Sequence, residues 1–181
     1  MLNDCISLGP VKCKKILMQR DGPKILQIQV SPGHDFKGRH GKSRLRNESI
    51  SLKEVECVAG KGLRGDRFFD YKEDFKGQVT FFDQAVADDL QQRLGLSSLD
   101  FTSTRRNVLV AGIDLSKLIG KRFSIGEVAF IGVEECAPCY WMNEALGPGA
   151  EQMMRGLGGL RCRILSGGVL RVGDVEIGGR E

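Results

Sequence analysis

The chain has 181 residues, of which 41% are hydrophobic and 28% charged, and 27 Lys and Arg against 23 Asp and Glu leave a net charge of +4. A chain of this length buries about 70% of its unfolded surface and needs no staples, while so small a positive bias does not by itself argue for nucleic acid and suits a small anionic ligand equally. No apolar run approaches the ~20 residues of a membrane span and Met1 to Pro10 show no basic segment leading into an apolar core, so the sequence predicts a cytoplasmic protein with no membrane partner.

Six cysteines, at positions 5, 13, 57, 136, 139 and 162, are then expected to stay reduced. Two histidines, at 34 and 40, argue against His-rich metal or acid–base chemistry. The 24 glycines, against a usual share of about 7%, imply many tight turns.

Residues 1–10 carry no periodic pattern and read as a loose arm, with 11–181 as one domain. Val11 to Met18 and Ile25 to Val30 flank the turn residues Asp21-Gly22-Pro23 and read as a hairpin, in which Ile28 and Val30 alternate with Gln27 and Gln29. Ser31 to Asn47 reads as a loop whose Lys37, Arg39, Lys42, Arg44 and Arg46 form either a solvated segment or a flap offering charge to a phosphate. Ile50 to Val58 suits a strand, and Gly60-Lys-Gly62-Leu-Arg-Gly65 has the spacing of a dinucleotide fingerprint. The aromatic-rich Asp66 to Tyr71 after it does not open the helix such a site needs.

Gln78 to Phe82 is strand-like, Asp83 is placed to cap a helix, and Val86, Leu90 and Leu94 recur every four residues up to Gly95, predicting the one clear helix. Asn107 to Val110 predicts another strand. Phe123 to Gly132 parallels Leu170 to Gly179, each with a Gly-acid pair between short β-prone runs, which reads as two hairpins with type II′ loops. Short strands with a single clear helix and a few shorter ones predict a mainly β fold, a closed or partly open barrel or a sandwich rather than a doubly wound α/β sheet.

Cys136-Ala-Pro-Cys139 admits several readings: half of a zinc site completed by Cys57 and Cys162, a thioredoxin-like redox pair, two inert buried thiols, or a single reactive thiolate at Cys139. Pro138 holds Ala137 extended, and Tyr140 to Leu146 before Gly147-Pro148 forms a short helical turn, putting Cys139 near its start.

The motifs Gly62-Leu-Arg-Gly65-Asp66-Arg67, Gln78-Val-Thr80, Arg106-Asn107 and Pro138-Cys139 occur in an order that resembles MOSC domains. Gly112-Ile-Asp114, Leu118 to Gly126, Gly158-Gly159, Arg161-Cys-Arg-Ile164 and Val172-Gly-Asp174 extend the resemblance from about Ile25 to the end. It implies a β-barrel that binds molybdenum cofactor (molybdopterin), with Cys139 as persulfide sulfur carrier or molybdenum ligand, acting in sulfur transfer or metal-centred reduction. Sulfur from a pyridoxal-phosphate-dependent protein, or electrons, would come from a partner. A non-catalytic module that binds or delivers the cofactor is the alternative, and an RNA-binding barrel using residues 37–46 is the less favoured third. Gly65, Asp66, Arg67, Thr80, Arg106, Asn107, Gly158, Gly159 and Arg161 are the cofactor-binding positions the resemblance implies. Arg67, Arg106 and Arg161 would serve as guanidinium forks for an anion, although each also suits a rim ion pair. Asp66 reads as an orienting carboxylate, and Cys136 as a packed neighbour or a resolving thiol. Leu157 departs from the basic residue the family often places before the paired glycines.

Overall fold

The computed structural model describes residues 22–35, 43 and 45–180. The arm 1–10, the expected strand Val11 to Met18, and the basic positions 37, 39, 42 and 44 lie outside the described residues.

Strand β1 (Lys24–Val30) buries Ile25, Ile28 and Val30 in the main core, but Gln29 is buried as well, donating to the carbonyl oxygens of Arg106 (2.6 Å) and Phe101 (3.4 Å). The strand is therefore covered on both faces, and a register shift between Ile25 and Gln27 marks where simple alternation stops. Next come β2 (Ile50–Leu52), β3 (Glu54–Val58) and β4 (Gly62–Leu63). The glycine-rich Gly60 to Gly65 stretch is thus a tight connection and a two-residue strand, followed by turns rather than by a helix.

Strand β5 (Val79–Asp83) leads into α1 (Gln84–Arg93), and the Asp83 side chain accepts from the Ala85 N–H at 2.9 Å, the expected cap. After a 3-10 turn (Phe101–Thr104), β6 (Val108–Ala111) returns parallel to β5. A parallel pair needs a crossover, and α1 supplies it, joining the expected strands Gln78 to Phe82 and Asn107 to Val110 as a β–α–β unit. Because both faces of these strands are covered, their apolar runs split between two cores. Val79, Phe81, Val108 and Val110 enter the main core, whereas Phe82 and Leu109 join α1, α2 (Trp141–Leu146) and α3 (Ala150–Met154) in a second one.

Strands β7 (Arg122–Ile125) and β8 (Val128–Glu135) form the first expected hairpin, with Gly126 at φ 56° in its two-residue loop. Strand β9 (Leu160–Ser166) pairs with β8 and β5. The second expected hairpin does not form. Leu170 lies in β10 (Gly168–Arg171), which pairs with β3, while the Gly173-Asp174 pair forms β11 beside β1 and Ile177–Arg180 forms β12 beside β7. Main-chain bonds from Val172 to Lys53 O (2.9 Å) and from Val175 to Pro23 O (3.0 Å) hold this stretch open across three different neighbours.

Among the described residues, one nine-stranded mixed sheet runs β11-β1-β6-β5-β9-β8-β7-β12 with β2 attached to β1, and a three-stranded sheet runs β10-β3-β4. The fold is mainly β with few helices, but it is not a closed barrel, since β11 and β12 at the two ends of the large sheet do not pair. Side chains replace the missing ladder: Val55, Cys57 and Leu170 of the small sheet pack into the same cluster as Ile25, Phe81, Phe123 and Phe130 of the large one. No described helix is long and apolar enough to cross a membrane.

Candidate functional site

A pocket of about 300 Å³ opens where four segments meet. The loop after β1 brings His34, the β4–β5 connection brings Arg67, Phe68 and Phe75, the turn before β6 brings Thr104, Arg105 and Arg106, and the β8–α2 connection brings Cys136, Cys139, Trp141 and Met142. Thr80 of β5 and Arg161 of β9, opposite each other in the sheet, form its floor. Among the described residues, no lining residue is acidic.

Behind the pocket a buried polar network fixes the wall. Gly65 takes φ 84° to turn the chain after β4, and Asp66 then accepts from the Ser31 N–H (3.3 Å), the Phe68 N–H (3.1 Å), Asn107 Nδ2 (3.1 Å) and Arg67 Nη1 (3.4 Å). That is an orienting carboxylate capping its own turn. Asn107 in turn accepts at Oδ1 from the Thr80 N–H (3.1 Å) and from Thr80 Oγ1 (2.8 Å), and its own N–H donates to Thr80 Oγ1 at 3.0 Å. A hydroxyl has one proton and two lone pairs; with the proton and one lone pair engaged by Asn107, Thr80 has only an acceptor left to turn to the pocket.

The arginines separate by what their guanidinium groups already hold. Arg106 is buried and donates through Nε to Gly158 O (3.0 Å), through Nη1 to Thr104 O (2.6 Å) and Met142 Sδ (3.1 Å), and through Nη2 to Cys136 O (2.9 Å). It buckles the pocket wall together and has little left for a ligand. Arg105 sits in the left-handed region at φ 60° and donates to Ser31 Oγ (2.7 Å), Ser49 Oγ (2.8 Å) and Gly33 O (2.8 Å), with Asp35 at 3.6 Å. It fastens the His34 loop. Arg67 differs, because its side chain is only 13% exposed, lies over the Phe68 ring at 4.7 Å, and keeps a buried Nε–H with no acceptor among the described residues. Arg161 makes one long contact, 3.4 Å to Glu134, whose other oxygen is taken by Lys76 at 2.7 Å.

Cys139 is exposed and Cys136 half-buried, whereas Cys57 and Cys162 lie inside β3 and β9. Burial pushes the Cys57 thiol up from about 9.0 to about 12, and pushes Cys162 well above the ordinary thiol range. These two are apolar core residues, and among the described residues no group of three or more His, Cys, Asp or Glu is placed to hold a metal ion.

Of the positions implied by resemblance, Arg67, Thr80, Arg106, Cys139 and Arg161 line the pocket, and Asp66 and Asn107 stand behind it. Gly65, Gly158 and Gly159 are outside its lining and act through the main chain. A side chain at Gly158 would meet Cys136 O at 2.4 Å, and one at Gly159 would meet Phe81 O at 2.2 Å. Leu157 is exposed toward a separate concavity. Arg105, His34, Phe68, Phe75 and Trp141 are lining residues that sequence reasoning missed; the paired Arg105-Arg106 was the only local signal for the first of them.

In fold, the mixed, mainly β sheet is similar to solved structures of bacterial proteins. YuaD from Bacillus subtilis is 17% identical with a TM-score of 0.68, covering 88% of this chain and 97% of that one. YiiM from Geobacillus stearothermophilus is 16% identical (TM-score 0.62, 88% of this chain, 75% of that one), and YiiM from Escherichia coli 15% identical (TM-score 0.59, 87% and 71%). At these identities the likeness is one of fold. No curated protein matches the sequence. The family model of the MOSC domain matches residues 40–175, and the chain belongs to the MOSC domain family.

Proposed function

We propose that the pocket takes a molybdenum cofactor and that Cys139 is the sulfur at which its chemistry is done, first as a carrier of sulfane sulfur delivered by a partner protein. The observation that carries this is an exposed thiol opening on the same pocket as Arg67, whose buried Nε–H has no acceptor among the described residues. Such a donor, left without a partner, costs about 1–3 kcal/mol, and an anionic oxygen of a ligand would supply its acceptor.

A pterin dithiolene with a terminal phosphate is a polyanion carrying a soft metal, and the residues present fit it. Arg67 and Arg161 would hold anionic oxygens, Thr80 would accept from a ring N–H, and Phe68 and Phe75 offer apolar faces. About 300 Å³ is at the lower end of the range for small-molecule sites, roughly 300–1,000 Å³. When bound, the cofactor supplies a metal that accepts sulfur or exchanges electrons. The chain's own part is to present the Cys139 sulfur, to neutralise negative charge with guanidinium groups, and to keep the wall rigid through Arg106 and Asn107. A pyridoxal-phosphate-dependent sulfur donor is the partner chemistry this reading requires; in the metal-ligand variant the partner brings electrons instead.

The test is to produce the protein in cells able to make the cofactor and to assay molybdenum, pterin and cyanide-labile sulfur. Wild type should retain the pterin and the molybdenum and, while the sulfur donor is supplied, carry the labile sulfur. Cys139→Ser should keep the pterin and lose the labile sulfur, with loss of molybdenum as well assigning Cys139 as a metal ligand, and Arg67→Ala with Arg161→Ala should lose the pterin. Wild-type protein free of pterin and molybdenum would refute the reading, and a Cys139→Ser variant with wild-type pterin, molybdenum and labile sulfur would reduce the chain to a binding or delivery module.

A further inference from the structure

We propose that Cys136 is a resolving thiol that discharges sulfane sulfur from Cys139 as sulfide, leaving a Cys136–Cys139 disulfide; this rests on the reading that Cys139 carries such sulfur. Both thiols open on one pocket, three positions apart and on one connection, and no other described cysteine reaches it. Cys57 and Cys162 are locked in the core, protonated by burial.

Cys136 is also held as a reactive partner would be. Its N–H donates to Gly159 O at 2.8 Å and its carbonyl accepts from Arg106 Nη2 at 2.9 Å, so the main chain is clamped on both sides and rotation of the side chain is what remains. Gly158 permits that clamp, since any side chain there would meet the Cys136 carbonyl at 2.4 Å. On the other side Cys139 O accepts from the Met142 N–H at 2.8 Å, which ties the main chain of Cys139 to the first turn of α2. A cysteine kept only for packing belongs among apolar side chains, whereas Cys136 is half-buried on a wall that, among the described residues, holds four arginines and no carboxylate.

The step balances. A sulfane-sulfur donor first leaves Cys139 as a persulfide. The Cys136 thiolate attacks the inner sulfur, its lone pair forming the new S–S bond, while the persulfide S–S bond breaks and its electron pair leaves with the outer sulfur as hydrosulfide. The Cys136 proton goes to solvent. Cys136 and the inner sulfur are oxidised to the disulfide and the outer sulfur is reduced. Return to the dithiol takes two electrons from a dithiol reductant of the thioredoxin or dithiothreitol class.

The intact 181-residue chain, fully reduced, is given one equivalent of inorganic polysulfide, desalted and followed by sulfide release and peptide mass. Cys136 and Cys139 fall on one tryptic peptide, Phe123 to Arg155. Wild type should release sulfide and yield that peptide lighter by two hydrogens and closed to alkylation. Cys136→Ser should hold the peptide heavier by one sulfur atom and release sulfide at least about tenfold more slowly, as expected when a tethered nucleophile is removed. Cys139→Ser should do neither. A wild-type peptide that keeps its extra sulfur as long as Cys136→Ser does, with no internal disulfide, overturns the resolving role and leaves the carrier reading standing. Failure of Cys136→Ser to take sulfur on Cys139 overturns both.

Discussion

Replacing Arg106 by Ala removes donors from three buried or half-buried carbonyls, those of Thr104, Cys136 and Gly158, and leaves space beside Met142. Hydrogen bonds to a charged group are worth about 1.5–3 kcal/mol each. Water entering from the adjoining pocket restores some of the loss, so the cost falls just below the combined range of about 4.5–9 kcal/mol, at about 4 kcal/mol. For a domain of this size about 2–4 °C accompanies each kcal/mol, giving a drop in Tm of about 8–16 °C. Arg161→Ala is the control, because its single long contact to a half-exposed Glu134 is a rim ion pair worth about 0–1 kcal/mol. Urea unfolding of both variants without ligand measures the difference. If Arg106→Ala unfolds at the wild-type midpoint with an unchanged m-value, the claim that this arginine is spent on the pocket wall is wrong and it is free to serve a ligand.

Three further outcomes are expected. The Cys57 thiol is held up at about 12 by burial, against 9.0 ordinarily, so the unfolded chain loses its proton first and stability falls by up to about 1.4 kcal/mol per pH unit as pH rises from about 9 toward 12; Cys57→Ala should flatten that part of a stability–pH profile. Asp83 caps α1 while burial, then Asp114 and Asp88, raise its pKa, so Asp83→Asn should keep the cap and be neutral or stabilising at pH 7, and Asp83→Ala should cost about 1 kcal/mol in chemical denaturation. Gly159→Ala, at φ 99° and with Phe81 O 2.2 Å from the new carbon, should lower Tm by more than any other alanine change at the site, since strain at such a residue adds about 1–3 kcal/mol to the clash.

The parts of the fold legible in the sequence are those specified within a dozen residues. Asp83 announces α1, the β5 and β6 runs show their apolar character, and Gly126-Glu127 forms its hairpin because both flanking strands follow at once. Gly173-Asp174 carries the same local signal and does something else, because distant neighbours, Lys24 and Ile25 of β1, compete for its main chain. Gln29 looks like a solvent-facing residue until the turn at Arg106 arrives from 77 positions away. The site divides the same way. Residue type and order were enough to select Arg67, Thr80, Arg161 and Cys139 as candidates, and the structure gathers them on one pocket. That Arg106 turns its guanidinium onto carbonyls, and that Arg105 adopts a left-handed backbone to pin Ser31 and Gly33, depends on partners 30 to 74 residues away and on a φ angle that arginine does not advertise.

The position of β1 in the sheet has a consequence for biogenesis. It is made early, yet it is bordered by segments near residues 50, 108 and 173, so no contiguous stretch of nascent chain can satisfy it. Its hydrogen-bonding edges must wait for β6 and then for β11, and such long waits expose strands to intermolecular pairing. Holding factors that shield the emerging chain should therefore matter more for its yield than for a protein assembled hairpin by hairpin.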